Sequence, residues 1–128
     1  MKIEENYSIK DINSLRINQL AKYFCSIETV EQFLEAIEFS KLKNLPILYI
    51  GEGSNIVFTK DYDGLVIKNN MLGKIEHDER IVEISSGENW HKFVDWSLSN
   101  ERYGLENLAL IPGTVGASPI QNIGAYGK

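Results

Sequence analysis

One segment of the chain joins an apolar run directly to a glycine turn: Ile47-Leu48-Tyr49-Ile50-Gly51-Glu52-Gly53-Ser54-Asn55. Its first four residues have the length and composition of a strand that is buried on both faces. Glycine after such a strand permits positive φ and a close approach of the backbone to a ligand. Successive backbone N–H groups there form a concavity for an anion, and Ser54 and Asn55 add further donors. A tight turn that uses two glycines without binding anything is the alternative.

The residues before this segment predict a strand and a helix. The apolar run from Leu20 to Ile27 predicts the strand, and Thr29 followed by Gln32 is a capping-box pattern that begins the helix. The helix should end near Asn44, which can adopt the left-handed conformation of a C-cap. Two strands joined by a helix imply a parallel pair. The apolar face expected for the helix consists of Val30, Phe33, Leu34 and Ile37.

Two further strands and a second helix are expected after the glycine turn. The strands are predicted over residues 64–68 and 81–84, and the spacing of Trp90, Phe93 and Val94 predicts a helix over residues 89–98. The polar pair Asn69-Asn70, with Gly73 shortly after it, marks a boundary. We therefore expect two lobes, residues 1–69 and residues 70–128.

A second glycine segment lies between Ile111 and Gly127, with four glycines, two prolines and no charged residue. A plain surface loop would carry charges. A neutral segment rich in glycine and in hydrogen-bond donors is expected where backbone amides wrap a phosphate-bearing cofactor. An irregular buried connection within a larger protein is the alternative. The Rossmann pattern G-x-G-x-x-G and the P-loop pattern are both absent.

Composition and spacing exclude several classes of function. Thirteen basic and eighteen acidic residues give a net charge of −5, and no basic run is interleaved with aromatic residues, so no nucleic-acid partner is expected. No stretch approaches the roughly 18 apolar residues of a membrane span, and the first ten residues lack the apolar segment of a signal peptide, so we expect a cytoplasmic location. His77 and His91 lack a metal-ligand spacing, and Cys25 is expected to be a buried structural thiol.

The glycine segments are also where the chain resembles a known family, the UDP-N-acetylenolpyruvoylglucosamine reductases, which are flavoproteins of bacterial peptidoglycan synthesis. The resemblance is carried by residues 50–55 (IGEGSN), 86–91 (SGENWH) and 104–127, which include IPGTVGASPIQNIGAYG. It extends from near Ser14 to the last residue. The fold that it implies is α+β: a two-lobed FAD-binding domain of the vanillyl-alcohol-oxidase (PCMH) type, with the second lobe incomplete.

The resemblance implies FAD as the cofactor, held between the two lobes by main chain that approaches closely. In the first lobe, the residues that would cradle the diphosphate are Ile50, Gly51, Gly53, Ser54 and Asn55. In the second lobe, the residues that would line the ribityl chain and the flavin are Pro112, Gly113, Val115, Gly116, Ser118, Pro119, Gln121, Asn122, Gly124, Ala125 and Tyr126.

The family passes a hydride from NADPH to the flavin and then to UDP-N-acetylglucosamine enolpyruvate, which becomes UDP-N-acetylmuramate. The family's catalytic serine, arginine and glutamate all lie beyond the matched segment, so no catalytic residue is expected in this sequence. The resemblance thus implies the N-terminal, FAD-binding part of a reductase, without the substrate domain and inactive by itself. The competing hypothesis is a truncated module that binds a nucleotide or packs against a partner.

Overall fold

The computed structural model describes residues 1–126, except for the side chain of Tyr126. Gly127, which the sequence places in the second glycine segment, and Lys128 lie outside the described residues. The chain divides into two units, and the second unit begins at Met71. This division lies one residue after the boundary expected between the two lobes.

The first unit contains a mixed four-stranded sheet. Strand β1 (Glu4–Ser8) pairs antiparallel with β2 (Leu20–Ile27), and β4 (Tyr62–Asn69) pairs parallel with both β2 and β3 (Ile47–Ile50). The strand order is therefore β1-β2-β4-β3. The strands expected at residues 20–27 and 47–50 are confirmed. These two strands are parallel, as expected, but they do not pair with each other, because β4 lies between them.

Strand β3 is an edge strand, and the expectation that both of its faces are buried is wrong. Ile47 and Tyr49 are 36% and 44% exposed, whereas Ile50 at the end of the strand is buried. The doubly buried strand is β4, in which residues 64–67 are all buried between two neighbouring strands. An apolar run of four residues cannot distinguish these two positions in a sheet.

Helix α1 (Val30–Lys43) begins and ends at the expected caps. The Thr29 hydroxyl accepts a hydrogen bond from the Gln32 N–H at 3.3 Å, and the Gln32 side chain accepts one from the Glu28 N–H at 2.8 Å. Asn44 is left-handed, with φ 51° and ψ 49°, and its N–H bonds to carbonyls of the last turn. Both helix ends are thus determined locally by short polar side chains.

The buried face of α1 agrees only in part with the expected one, in which Phe33 and Ile37 are half-buried. Val30 and Leu34 are 59% and 57% exposed, whereas Ala36 and Ser40 are buried. Small residues let the helix approach the sheet closely, so the face of α1 that packs on the sheet is centred on Ala36 and Ser40.

Replacing Thr29 by alanine is expected to lower the free energy of unfolding by about 1 kcal/mol, because the Gln32 N–H loses its acceptor. The measurement is urea unfolding followed by far-UV circular dichroism. Thr29→Ser keeps a hydroxyl at the cap and is the control. An unchanged midpoint in Thr29→Ala would show that the cap does not stabilise the helix.

The two faces of the first sheet bury different side chains. On one face, Ile9, Phe24 and Val66 belong to one buried cluster, and the ring of Tyr7 stacks on that of Phe24. On the other face, Tyr23 of β2 contacts Phe39 of α1 edge to face. The pairing of β2 with β4 shifts register between Ala21 and Tyr23, where β4 contains one residue more than β2.

The second unit begins with an antiparallel hairpin. It pairs β5 (Lys74–Glu76), which the sequence does not predict, with β6 (Val82–Ile84). The Asp78 carboxylate accepts hydrogen bonds from the N–H groups of Arg80 and Ile81 at 2.7 and 2.8 Å, and these bonds lower the pKa of Asp78. The Arg102 guanidinium lies 2.7 Å from Glu76 and ties the hairpin to the chain after the next helix.

Helix α2 (Trp90–Ser99) confirms the helix expected over residues 89–98. The Asn89 side chain accepts the Lys92 N–H at 2.9 Å and caps its first turn. Trp90, Val94 and Leu108 form the core of this unit. Short 3-10 turns follow at Glu106–Leu108, Val115–Ala117 and Ile123–Tyr126.

Candidate cofactor-binding loops

The first glycine turn, residues 51–55, follows the carboxyl end of β3 and packs against a segment near the N-terminus. Gly53 is buried with φ +64°, and a Cβ atom on it would overlap the Ile12 carbonyl oxygen and lie 2.9 Å from the Asn13 Cα. The Gly53 carbonyl accepts hydrogen bonds from the N–H and the hydroxyl of Ser14, at 3.2 and 3.3 Å. Glycine is therefore required here by contact with the chain itself.

Asn13 holds the segment that covers Gly53. It is 5% exposed, and its amide donates hydrogen bonds to the carbonyls of Ile9 and Ile17 at 2.6 and 3.1 Å. Its side-chain oxygen accepts the Ile17 N–H at 3.0 Å. The sequence alone predicts no role for this segment. The signal that could have identified it is the polar pair Asn13-Ser14 between apolar neighbours, which is typical of a turn.

Four backbone N–H groups of this turn have no acceptor within the described part of the chain. Among residues 1–126, no hydrogen bond is donated by the N–H groups of Gly51, Gly53, Ser54 and Asn55. Ser54 is half-buried and Asn55 is exposed, whereas the Ile50 side chain is buried in the core of the unit. Residues 51–59 contain no basic side chain. A diphosphate bound here would therefore be stabilised by backbone dipoles and neutral side chains.

The second glycine segment is anchored within the second unit to the residues around the start of α2. Three backbone hydrogen bonds of 2.8–2.9 Å join them: Trp90 N–H to Gly113, Val115 N–H to Glu88, and Gly116 N–H to Ser86. A Cβ atom on Gly116 would lie 2.7 Å from the Ser86 Cβ. The pairing thus requires glycine at position 116.

The rest of this segment folds on itself. The N–H groups that donate within the segment are those of Ala117, Ser118, Gln121, Asn122, Ile123 and Ala125. Four of these residues, Ser118, Gln121, Asn122 and Ala125, are predicted to line the cofactor, but their N–H groups are occupied by the segment's own carbonyls. A ligand could contact the exposed surface of this segment, which includes Pro112, Gly116, Pro119, Asn122, Gly124 and Ala125. Gly113 is buried, Val115, Ser118 and Gln121 are half-buried, and the Tyr126 side chain is outside the described residues.

Gly124 differs from the other glycines with known surroundings in the two segments. A Cβ atom on it would meet nothing within 4 Å among the described residues, and its φ is not left-handed. Neither conformation nor packing within this chain therefore requires glycine at this position. A close approach by another group would require it.

A family model described as an FAD binding domain matches residues 21–128, which include both glycine segments. The chain belongs to this FAD binding domain family. FAD, the cofactor implied by the sequence resemblance, is thereby confirmed as the cofactor of the family. The residues of this FAD binding domain that contact the cofactor stay a prediction.

Curated relatives of this FAD binding domain are UDP-N-acetylenolpyruvoylglucosamine reductases, which confirms the resemblance. The protein of that name from Escherichia coli strain K12 is 46% identical over 95% of the chain, and the chain covers 36% of that protein. The one from Pseudomonas putida strain KT2440 is 44% identical over 97% of the chain, with 38% of that protein covered. The chain thus spans between a third and two-fifths of the length of these relatives.

A solved structure shows the same fold. The crystal structure of UDP-N-acetylenolpyruvylglucosamine reductase from Thermus caldophilus superposes with a TM-score of 0.70 at 24% identity. The match covers 92% of this chain and 41% of that one. The expected α+β FAD-binding fold is therefore confirmed.

Among the described residues, Cys25 and the possible metal ligands form no competing site. Burial raises the pKa of the fully buried Cys25 thiol to about 11, so the thiol is neutral at physiological pH, as expected of a structural cysteine. No group of three His, Cys, Asp or Glu side chains in the described part of the chain could hold a metal ion. Within residues 1–126, no helix is long and apolar enough to cross a membrane.

Proposed function

We propose that this chain is the FAD-binding part of an NADPH-dependent reductase that converts UDP-N-acetylglucosamine enolpyruvate to UDP-N-acetylmuramate in peptidoglycan synthesis. The names of relatives that match 95–97% of the chain support this activity. The proposal assigns binding of FAD to this chain and no catalytic residue, so the chain alone does not turn over. A cytoplasmic location is part of the proposal.

The observation that carries cofactor binding is the set of unpaired N–H groups in residues 51–55. We propose that Gly51, Gly53, Ser54 and Asn55 donate to the diphosphate oxygens, with the backbone of Ile50 beside them. Amide dipoles fixed by the fold stabilise anionic oxygens without a basic side chain. The Ser14 bonds to the Gly53 carbonyl keep the turn in place before any ligand binds.

From the second unit, we propose that the exposed surface of residues 112–126 contacts the ribityl chain and the flavin. Gln121 donates a hydrogen bond to the Pro112 carbonyl at 3.2 Å, which fixes its side chain and leaves its oxygen free to accept. The space around Gly124 allows backbone to lie against a flat ring. FAD, when bound, supplies the hydride-transfer chemistry.

The test is titration of the chain with FAD, ADP and UDP-N-acetylglucosamine in a calorimeter. Binding of FAD is expected, and Ser54→Ala is expected to weaken it about 10-fold, because a hydrogen bond to an anionic oxygen is lost. Ser99→Ala, an exposed serine at the end of α2, is the control and should not change the affinity.

If FAD gives no more heat of binding than ADP does, a nucleotide-binding module that does not contact the flavin would be favoured. The absence of heat with all three compounds would favour a packing role and would reject the proposed function.

A further inference from the structure

Leu110 combines a left-handed backbone with an exposed side chain. Its φ is +63° and its relative exposure is 79%. A left-handed conformation is unfavourable for a leucine because the Cβ atom crowds the neighbouring carbonyl. Since most of this side chain faces solvent, packing within the described part of the chain does not compensate for that cost.

The other left-handed residues differ from Leu110 in their chemistry. Of the six non-glycine residues with positive φ among those described, three are asparagines, which tolerate this conformation. Arg16 and Glu101 carry charged side chains. Leu110 is the one aliphatic residue in the set.

Two residues of α2 hold the backbone at Leu108 and at Leu110. The Trp90 indole N–H donates to the Leu108 carbonyl at 2.8 Å, and the Leu110 N–H donates to the His91 Nδ1 at 3.3 Å. His91 can accept this bond only as a neutral ring that carries its hydrogen on Nε2. Ala109 and Ile111, the neighbours of Leu110, both pack against the core of the second unit. These contacts fix the backbone of Leu110 and leave its side chain exposed to solvent.

A strained residue that its surroundings hold in place is a feature of ligand-binding sites. Leu110 lies two residues before Pro112, at the start of the neutral segment to which the proposed function assigns the flavin. An aliphatic side chain offers no hydrogen bond to a phosphate, but it packs well on the face of a flat ring. We infer that Leu110 is a further FAD-binding residue, whose side chain packs against the flavin ring. This inference rests on the proposed function.

Three substitutions of Leu110 separate the side chain from the backbone. Leu110→Gly removes both the side chain and the strain, Leu110→Ala removes most of the side chain and keeps the strain, and Leu110→Met keeps an apolar side chain. The glycine variant should unfold about 3 °C higher than the unsubstituted chain, because glycine adopts positive φ freely. The alanine and methionine variants should unfold within about 1 °C of it.

The FAD affinities should follow the side chain and not the stability. The glycine and alanine variants are expected to bind FAD about 10-fold more weakly, through the loss of buried apolar surface, and the methionine variant should stay within about 2-fold of the unsubstituted chain. Equal affinity in all three variants would overturn this inference and leave the proposed function standing. Weaker binding only in the glycine variant would assign the effect to the backbone and also overturn it. No FAD binding by the unsubstituted chain would reject the proposed function, and this inference with it.

Discussion

Gly53→Ala is expected to lower the free energy of unfolding by about 3–5 kcal/mol, which is a large part of the stability of a small domain. The added Cβ atom would overlap the Ile12 carbonyl oxygen and lie 2.9 Å from the Asn13 Cα, at a φ that alanine rarely adopts. These neighbours are backbone atoms, and the three hydrogen bonds of the Asn13 side chain hold them in place. The clash therefore cannot be relieved by a rotamer change.

Urea unfolding measures this effect, with Gly124→Ala as the matched control. The control adds the same methyl group at a position with nothing within 4 Å and without left-handed φ, so its stability should change by less than about 1 kcal/mol. Similar midpoints for Gly53→Ala and the unsubstituted chain would contradict the packing of the turn against Ile12.

The same geometry limits what position 53 can reveal about the cofactor. Gly53→Asp, which places a negative charge next to the proposed diphosphate, would also clash with the backbone of Ile12 and Asn13. A loss of FAD binding in that variant would not separate repulsion from unfolding. Ser54→Ala changes a half-buried side chain of the same turn and is the cleaner probe.

Trp90→Ala is expected to lower the free energy of unfolding by about 3–5 kcal/mol, because it empties the core of the second unit. Trp90 is 6% exposed, packs with Val94 and Leu108, and contacts Phe93 edge to face. Its indole N–H also bonds to the Leu108 carbonyl at 2.8 Å. Trp90→Phe, which keeps a ring but leaves this carbonyl without its donor, should cost about 1–3 kcal/mol.

Thermal unfolding followed by far-UV circular dichroism measures both Trp90 variants without relying on tryptophan fluorescence. Trp96→Phe is the control, since Trp96 is half-buried and stacks on Phe93 outside the core. A Trp90→Ala chain that unfolds at the same temperature as the control would show that the second unit does not depend on this core.

The ends of α1 could be predicted from the sequence because the information is local. Thr29, Gln32 and Asn44 each act within one turn of the helix. Strand order could not be predicted, because the position of β4 depends on pairing with residues about forty positions away. The buried face of α1 could be predicted only in part, since Ala36 and Ser40 pack through their small size and a hydrophobic stripe does not detect this.

The two glycine segments could be predicted as places of close backbone approach, but not which group approaches. At Gly53 and Gly116, that group is another part of the chain, around Ile12 and Ser86. A glycine pattern contains no information about this choice, because a ligand and a neighbouring backbone both require the space that a side chain would fill. Gly124 is the position where the described chain leaves that space open.

The central place of β4 sets a constraint on translation. A ribosome delivers β2 and then β3 before the strand that joins them, and a further 19 residues separate Ile50 from Asn69 at the end of β4. At a synthesis rate of about 5–20 residues per second, this delay is roughly 1–4 s. During that interval, the inner edges of β2 and β3 are open templates for the strands of other nascent chains. Slow translation while residues 51–69 leave the ribosome would therefore favour aggregation on the polysome.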